Sequence, residues 1–150
     1  SDLIRGLLGQ AGIANAKIAY RRFEDRFRSA RFAALEKKGA RLQRPLWAST
    51  STKNPAYPDI YYVDNLIAPD SVNTLPPDTL NAFRDHGDPE VRISEGMAEA
   101  HRVMDDLEHL GIDFGEVTHE LEVEGVEKFG KSYDDLLGTI REERARVTTG

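Results

Sequence analysis

Four consecutive hydroxyl-bearing residues, Ser49 to Thr52, are followed directly by Lys53 and come immediately after a short apolar run that ends at Ala48. Hydroxyl groups can donate hydrogen bonds to phosphate oxygens, and a lysine supplies a point charge to the same anion. The pattern therefore predicts a strand whose carboxyl end opens into a phosphate-binding loop. The alternative is a strand that leaves the core into a plain polar turn, with Asn54-Pro55 as the breaker.

Lysine deserves separate inspection, because a desolvated lysine amine can form a Schiff base with a carbonyl substrate. Five lysines lie on predicted helices or at helix ends, where exposure is expected: Lys17, Lys37, Lys38, Lys128 and Lys131. Lys53 alone lies beside the end of an apolar strand, and its hydroxyl neighbours suit anion binding better than attack on a carbonyl. The chain is therefore predicted to contain no catalytic nucleophile.

The histidines and carboxylates do not form a pattern typical of a metal site. The histidines are dispersed, and His101 and His109, although on one predicted helix, are expected to be solvated. The acidic residues between Glu120 and Glu127 are expected to form a solvated helix face, and the chain contains no cysteine. We therefore expect no metal and no cofactor, and a cytoplasmic location, with which the absence of cysteine is compatible.

The overall charge is unfavourable for nucleic acid as a partner. The 150 residues carry a formal net charge of −6, with acidic residues concentrated after Asp85, and an acidic chain repels backbone phosphates. The basic residues that begin at Arg21 are interrupted by Glu24 and Asp25, so a solvated helix face is expected there. Charged residues make up 31% of the chain and apolar runs are short, which predicts a globular protein without a membrane span.

Periodicity and turn residues predict the elements that must position the loop. Apolar residues at helical spacing predict a helix over 10–27, and a second helix over 31–38 ends at Gly39. The remaining elements of this part are a strand at 46–48, a short helix within 57–67, a strand over 71–75 and a helix over 78–85. Strands that alternate with helices in this way are typical of a parallel α/β sheet.

The rest of the chain is predicted to be helical. Helices are expected over 94–110, 114–129 and 132–146. Ser94 and Ser132 are the expected N-caps, and Gly111 and Gly130 are expected to separate the helices. The apolar stripe of the first of these helices is expected to consist of Met97, Ala100, Met104 and Leu107.

Two short strands cannot form a stable parallel sheet that is covered on both faces. The chain should therefore be part of a larger α/β barrel and not a self-sufficient domain. In such barrels the carboxyl ends of the strands carry the active site, and phosphate sites often form in the loops after the last two strands.

Several segments, in order along the chain, resemble the C-terminal part of a transaldolase. The resemblance is to the long bacterial type of transaldolase, which in some members is fused to a glucose-6-phosphate isomerase. Its most specific part is the string Trp47-Ala-Ser-Thr-Ser-Thr-Lys-Asn-Pro55. The accompanying segments are 12–20, 72–76, 85–87 and 121–129.

The resemblance implies an α/β fold in which this chain supplies the C-terminal part of a TIM barrel. Residues 1–93 would contain barrel helices and strands seven and eight, at Leu46 and Val72, and 94–147 would form C-terminal helices. The family transfers a dihydroxyacetone unit from sedoheptulose 7-phosphate to glyceraldehyde 3-phosphate, which gives erythrose 4-phosphate and fructose 6-phosphate. The implied partners are sugar phosphates and the N-terminal remainder of the same barrel.

The resemblance also assigns residue roles. The Schiff-base lysine and the acid/base carboxylates of the family lie on earlier strands, so they would be outside this chain, and the isolated segment would be inactive. Ser49 and Lys53 match the family's phosphate-binding residues by position, and Thr50 and Ser51 could complete the site. Trp47 is expected to pack in the core.

Two other functions stay open from the residues alone. One is a non-catalytic helical interaction module, in which the helices of 94–146 dock a partner. The other is a regulator derived from the barrel, which would bind sugar phosphates without turnover.

Overall fold

Helices make up most of the structure, a computed structural model that describes residues 2–148. The helices are α1 (Asp2–Leu7), α2 (Gln10–Phe27), α3 (Ala30–Glu36), α4 (Tyr61–Asn65), α5 (Pro77–His86), α6 (Met97–His109) and α7 (Phe114–Thr148), and the strands are β1 (Leu46–Trp47) and β2 (Val72–Asn73). The chain divides into two compact units, of which the first ends at Asp106 and the second begins at Leu107.

The two strands pair in parallel, with Leu46 opposite Val72 and Trp47 opposite Asn73. Helix α4 lies between them in the chain, so the predicted order of strand, helix and strand is confirmed. Each strand has two residues, fewer than predicted. Because the strands are parallel, their carboxyl ends meet at the same edge of the sheet.

Helix α2 provides the core of the first unit. Its buried residues include Ile13, Tyr20 and Phe23, at the spacing that the sequence predicts for one helix face. Tyr20 is only 1% exposed, and its hydroxyl donates a hydrogen bond to the carbonyl of Pro69 at 3.0 Å. Ile93, which is fully buried, belongs to the same cluster. The core thus joins α2 to the segments that precede and follow the second strand.

Residues at their ends help to set the bounds of the short helices α3 and α4. The Ser29 side chain caps α3 by accepting a hydrogen bond from the Phe32 N–H at 3.2 Å. Gly39 has a φ of 94°, so the predicted left-handed residue after this helix is confirmed. The short helix that the sequence predicts within 57–67 is also confirmed, although α4 covers only Tyr61–Asn65.

Helix α6 begins at Met97, directly after Gly96, which has a φ of 60°. The prediction of Ser94 as its N-cap is therefore wrong, because the left-handed glycine delays the helix. Ala100 is buried as predicted, and Val103 is buried as well, although the predicted stripe did not include it. Met104 is only half-buried, so the buried face is rotated slightly from the predicted one.

Helix α7 is one continuous helix of 35 residues. The prediction of two helices separated by Gly130 is therefore wrong, since a glycine inside a helix costs only about 1 kcal/mol and does not have to end it. Ser132 is not an N-cap either: its hydroxyl donates to the carbonyl of Lys128 at 2.9 Å within the helix. The predicted break at Gly111, with a φ of 79°, is confirmed. Across residues 2–148, no helix has the length and apolarity needed to cross a bilayer.

Candidate functional site at the carboxyl ends of the strands

The hydroxyl-rich loop begins where β1 ends, and its first residue, Ser49, has an unusual backbone. The φ of Ser49 is 55°, in the left-handed region, and its side chain is exposed. For a residue with a Cβ atom this conformation costs about 1–2 kcal/mol. Contacts elsewhere in the loop must offset this strain.

Thr50 provides such a contact. It is only 5% exposed, and its Oγ1 donates a hydrogen bond to Oδ1 of Asn73, the last residue of β2, at 2.7 Å. A second connection is the hydroxyl of Thr74, which donates to the carbonyl of Trp47 at 3.2 Å. The start of the loop is therefore tied to the neighbouring strand.

Ser49 and Thr50 line an open cavity of about 250 Å³. Its other walls are mainly apolar and include Leu46, Trp47 and Tyr62. Leu46 is 54% exposed, although it is a strand residue. This cavity therefore combines an apolar floor with hydroxyl groups at one edge, the composition of a small-molecule site.

Ser51 and Lys53 line a different cavity, of about 310 Å³. Thr52 lines it too, and its Oγ1 is buried without a hydrogen-bond partner among residues 2–148. The carboxylate residues Asp59 and Asp78 also line this cavity, beside the exposed Lys53. The structure thus brings Ser49 together with Thr50, and Ser51 together with Lys53, around two separate cavities.

The sequence reasoning did not identify an ionic cluster that borders the second cavity. His86, at the end of α5, contacts Asp59 Oδ1 through Nε2 at 3.0 Å and Asp85 Oδ2 through Nδ1 at 3.2 Å. The hydrogen bond to Asp59 has the largest effect in raising the pKa of His86, and the one to Asp85 adds to it. The same contact with His86 lowers the pKa of Asp59. No local pattern could have revealed the pair, because 27 positions separate its members.

Trp47 and Lys17 both lie partly buried in the first unit. Trp47 packs against the core and its Nε1 donates to the carbonyl of Leu66 at 3.0 Å, which confirms its packing role. Lys17 was expected to be exposed, and this is wrong: it is half-buried, with Nζ donating to the carbonyl of Glu95 at 2.9 Å. Desolvation lowers the pKa of Lys17, but its amine lies outside the two cavities of the loop.

Histidine and carboxylate side chains of the described residues do not gather into a metal site. Within residues 2–148, no group of three or more such residues could hold a metal ion. The polar groups around the two cavities are hydroxyls, one lysine and, in the second cavity, the carboxylates of Asp59 and Asp78. The hydroxyls and the lysine can bind an anion by hydrogen bonds and charge.

The fold and the loop together define a class of protein: an α/β chain with a polar site at the carboxyl ends of parallel strands. The family model described as Transaldolase/Fructose-6-phosphate aldolase matches residues 3–140. The chain therefore belongs to the transaldolase/fructose-6-phosphate aldolase family.

Curated relatives agree with this assignment. The chain is 51% identical to a transaldolase of Saccharopolyspora erythraea over 140 residues, which cover 91% of this chain and 38% of that protein. It is 50% identical to a transaldolase of Mycolicibacterium smegmatis over 138 residues, covering 91% of the chain and 37% of the relative. It is 44% identical to a transaldolase of Trichodesmium erythraeum over 147 residues, which cover 97% of this chain and 39% of that protein. The chain thus spans about two fifths of the length of these relatives.

Proposed function

We propose that this chain is the C-terminal segment of a transaldolase, in which it closes the barrel and binds the phosphate of the substrate. The parent enzyme transfers a dihydroxyacetone unit between sugar phosphates through a Schiff base. The observation that carries the proposal is the hydroxyl-rich loop at the carboxyl end of β1, beside the end of β2, in a member of this family.

In this proposal the chain contributes binding and not the nucleophile. Ser49 is exposed at the edge of the apolar cavity, where its hydroxyl can donate to a phosphate oxygen. Lys53 adds positive charge from the neighbouring cavity, and Ser51 lies beside it. Thr52 lines the same cavity, and its hydroxyl is buried without a partner among residues 2–148.

The Schiff-base lysine is proposed to lie in the part of the parent polypeptide outside this chain. Of the lysines in this chain, Lys53 is exposed beside two carboxylate residues, and Lys17 donates a hydrogen bond to a backbone carbonyl. Neither arrangement presents a desolvated amine to the cavity at Ser49.

The partner of this segment is proposed to be the preceding part of the same barrel. The exposed Leu46 of β1 would be covered by it, as would the apolar face of α7. On α7 this face includes Phe129, which is 82% exposed, and Val147, which is 81% exposed. The intervening exposed apolar residues follow at steps of three or four: Tyr133, Leu136 and Ile140. Burial of such a face is worth roughly 25 cal/mol per Å² of apolar area.

A chimera can test this function. This chain would replace the matching 140-residue segment of the Saccharopolyspora erythraea transaldolase, with the unchanged relative as the control. Borohydride trapping with fructose 6-phosphate, followed by peptide mapping, should give a stable adduct on a lysine outside the replaced segment. An adduct within the segment, or a chimera that folds but transfers nothing, would refute the proposal.

The exposed face of α7 also favours a second candidate, a non-catalytic helical interaction module. The two functions differ in what they require of the isolated chain. A module should be a monomer with a cooperative unfolding transition, whereas a barrel segment should be molten or aggregate. Circular dichroism and size-exclusion chromatography of the 150 residues distinguish the two.

A further inference from the structure

We infer that Thr50 and Asn73 act as positioning residues: their hydrogen bond holds Ser49 in the backbone conformation that presents its hydroxyl to the substrate phosphate. The inference rests on the proposed function and adds to it, because it assigns Thr50 a role other than direct contact with the phosphate. It also gives a role to Asn73, which the family resemblance did not include among the phosphate-binding residues.

The hydroxyl proton of Thr50 is used in a hydrogen bond within the protein. The side chain is 5% exposed and its hydroxyl proton is donated to Oδ1 of Asn73 at 2.7 Å. A hydroxyl has one proton to donate, so this proton is not available to a phosphate oxygen at the same time. Thr50 therefore serves the site through Asn73 and not through the ligand.

Ser49 has a strained backbone conformation. Its φ of 55° is disfavoured for any residue with a side chain, and it persists only where the surroundings hold it. Ser49 lies between two fixed points: Trp47, whose carbonyl accepts from the N–H of Thr74 at 3.0 Å, and Thr50, held by Asn73. Both fixed points belong to the contact with β2, so the neighbouring strand determines the orientation of the serine.

The hydrogen bond between Thr50 and Asn73 joins the ends of the two strands at the edge where the site lies. Thr50 follows β1 and Asn73 ends β2, and 23 positions separate them in the chain. Breaking the bond should leave the core around Tyr20 intact while it frees the loop. The expected loss is therefore in phosphate binding and not in the chemical step.

The experiment uses the complete transaldolase that carries this segment and the variants Thr50→Val, Asn73→Ala and their combination. Loss of one hydrogen bond corresponds to about a 2- to 10-fold change in affinity, so each single variant should raise KM for fructose 6-phosphate by that factor. The inhibition constant of inorganic phosphate should rise by the same factor, while kcat changes less than 2-fold. The combined variant should show no further rise, because both changes remove the same bond.

Two variants serve as references. Thr50→Ser keeps the hydroxyl and should restore KM towards the wild-type value. Ser71→Ala removes a hydroxyl hydrogen bond of similar length, from Ser71 Oγ to the carbonyl of Ala68 at 2.8 Å, at the opposite end of β2. It should leave KM within 2-fold. If Thr50→Val does not fold, Asn73→Ala reports on the same bond from the other strand.

The outcomes separate this inference from the proposed function. An active enzyme in which Thr50→Val raises KM no more than Ser71→Ala overturns the positioning role and leaves the proposed function standing. Additive effects in the combined variant, or a loss of kcat without a rise in KM, also overturn it. A folded wild-type enzyme without transferase activity overturns the proposed function, and the inference falls with it.

Discussion

Replacing Ser49 with alanine in the complete enzyme should weaken the binding of sugar phosphates more than replacing Lys53 does. The Ser49 side chain is exposed at the edge of the apolar cavity and has no protein partner within residues 2–148. Its removal should therefore leave the fold unchanged, and any effect reports on the ligand. Lys53 is also exposed, but it borders the other cavity together with Asp59 and Asp78.

The expected magnitudes follow from these environments. A hydrogen bond to a charged group contributes about 1.5–3 kcal/mol, which corresponds to roughly a 10- to 150-fold rise in KM for Ser49→Ala. An exposed ion pair contributes about 0.2–1 kcal/mol, so Lys53→Ala should raise KM by no more than about 5-fold. The two neighbouring carboxylates reduce the contribution of Lys53 further.

Steady-state kinetics with fructose 6-phosphate as donor and erythrose 4-phosphate as acceptor measure both effects, with kcat and KM determined separately. Raising the ionic strength should reduce the contribution of Lys53, because exposed charges are screened by salt. It should affect the hydrogen bond of Ser49 much less. Lys38→Ala, at an exposed lysine just after α3, controls for a general loss of positive charge.

A ranking in which Lys53→Ala has the larger effect would refute this reasoning, since the main phosphate contact would then lie in the second cavity. Unchanged KM in both variants would remove the loop from the substrate site altogether. Ser49→Gly adds an independent check: glycine relieves the left-handed strain, so this variant should bind phosphate weakly without losing thermal stability.

Three further predictions concern other parts of the chain. Thr52→Val removes the orphaned buried hydroxyl, so it should leave the free energy of unfolding unchanged or raise it by up to about 1 kcal/mol in denaturant titrations; a clear loss would mean that the hydroxyl has a partner. The pKa of His86 is raised above 6.5 and that of Asp59 is lowered, so their ion pair is present below pH 6.5 for as long as Asp59 stays ionised, and it is lost as the pH rises through the raised pKa of His86. Asp59→Asn should lower that pKa in an NMR titration, and an unchanged pKa would contradict the contact. Gly130→Ala should stabilise the helix by about 0.5–1 kcal/mol in thermal unfolding, because a methyl group there meets no atom within 4 Å; destabilisation would indicate a helix break at Gly130.

Local patterns predicted much of the fold because they are set by the chain itself. The apolar spacing of α2 identified its buried face, and the parallel pair of strands followed from short apolar runs that alternate with helices. Predictions of helix boundaries were less successful where the boundary depended on the conformation of a single residue. The left-handed backbone of Gly96 displaced the start of α6. Gly130 did not interrupt α7, because the small free-energy cost of one glycine is offset by the rest of a long helix.

The candidate site, too, was only partly predictable from local patterns. The sequence by itself determined that hydroxyl groups and a lysine follow the first strand, because neighbours in the chain stay neighbours in space. Only the tertiary structure decided that Ser49 and Lys53 line separate cavities, and that Asp59 meets His86. It also decided that Thr50 donates a hydrogen bond to Asn73 and that Ser49 has a left-handed backbone. Backbone dihedral angles and contacts between distant residues depend on how the strands pack, and no local pattern of residue types encodes them.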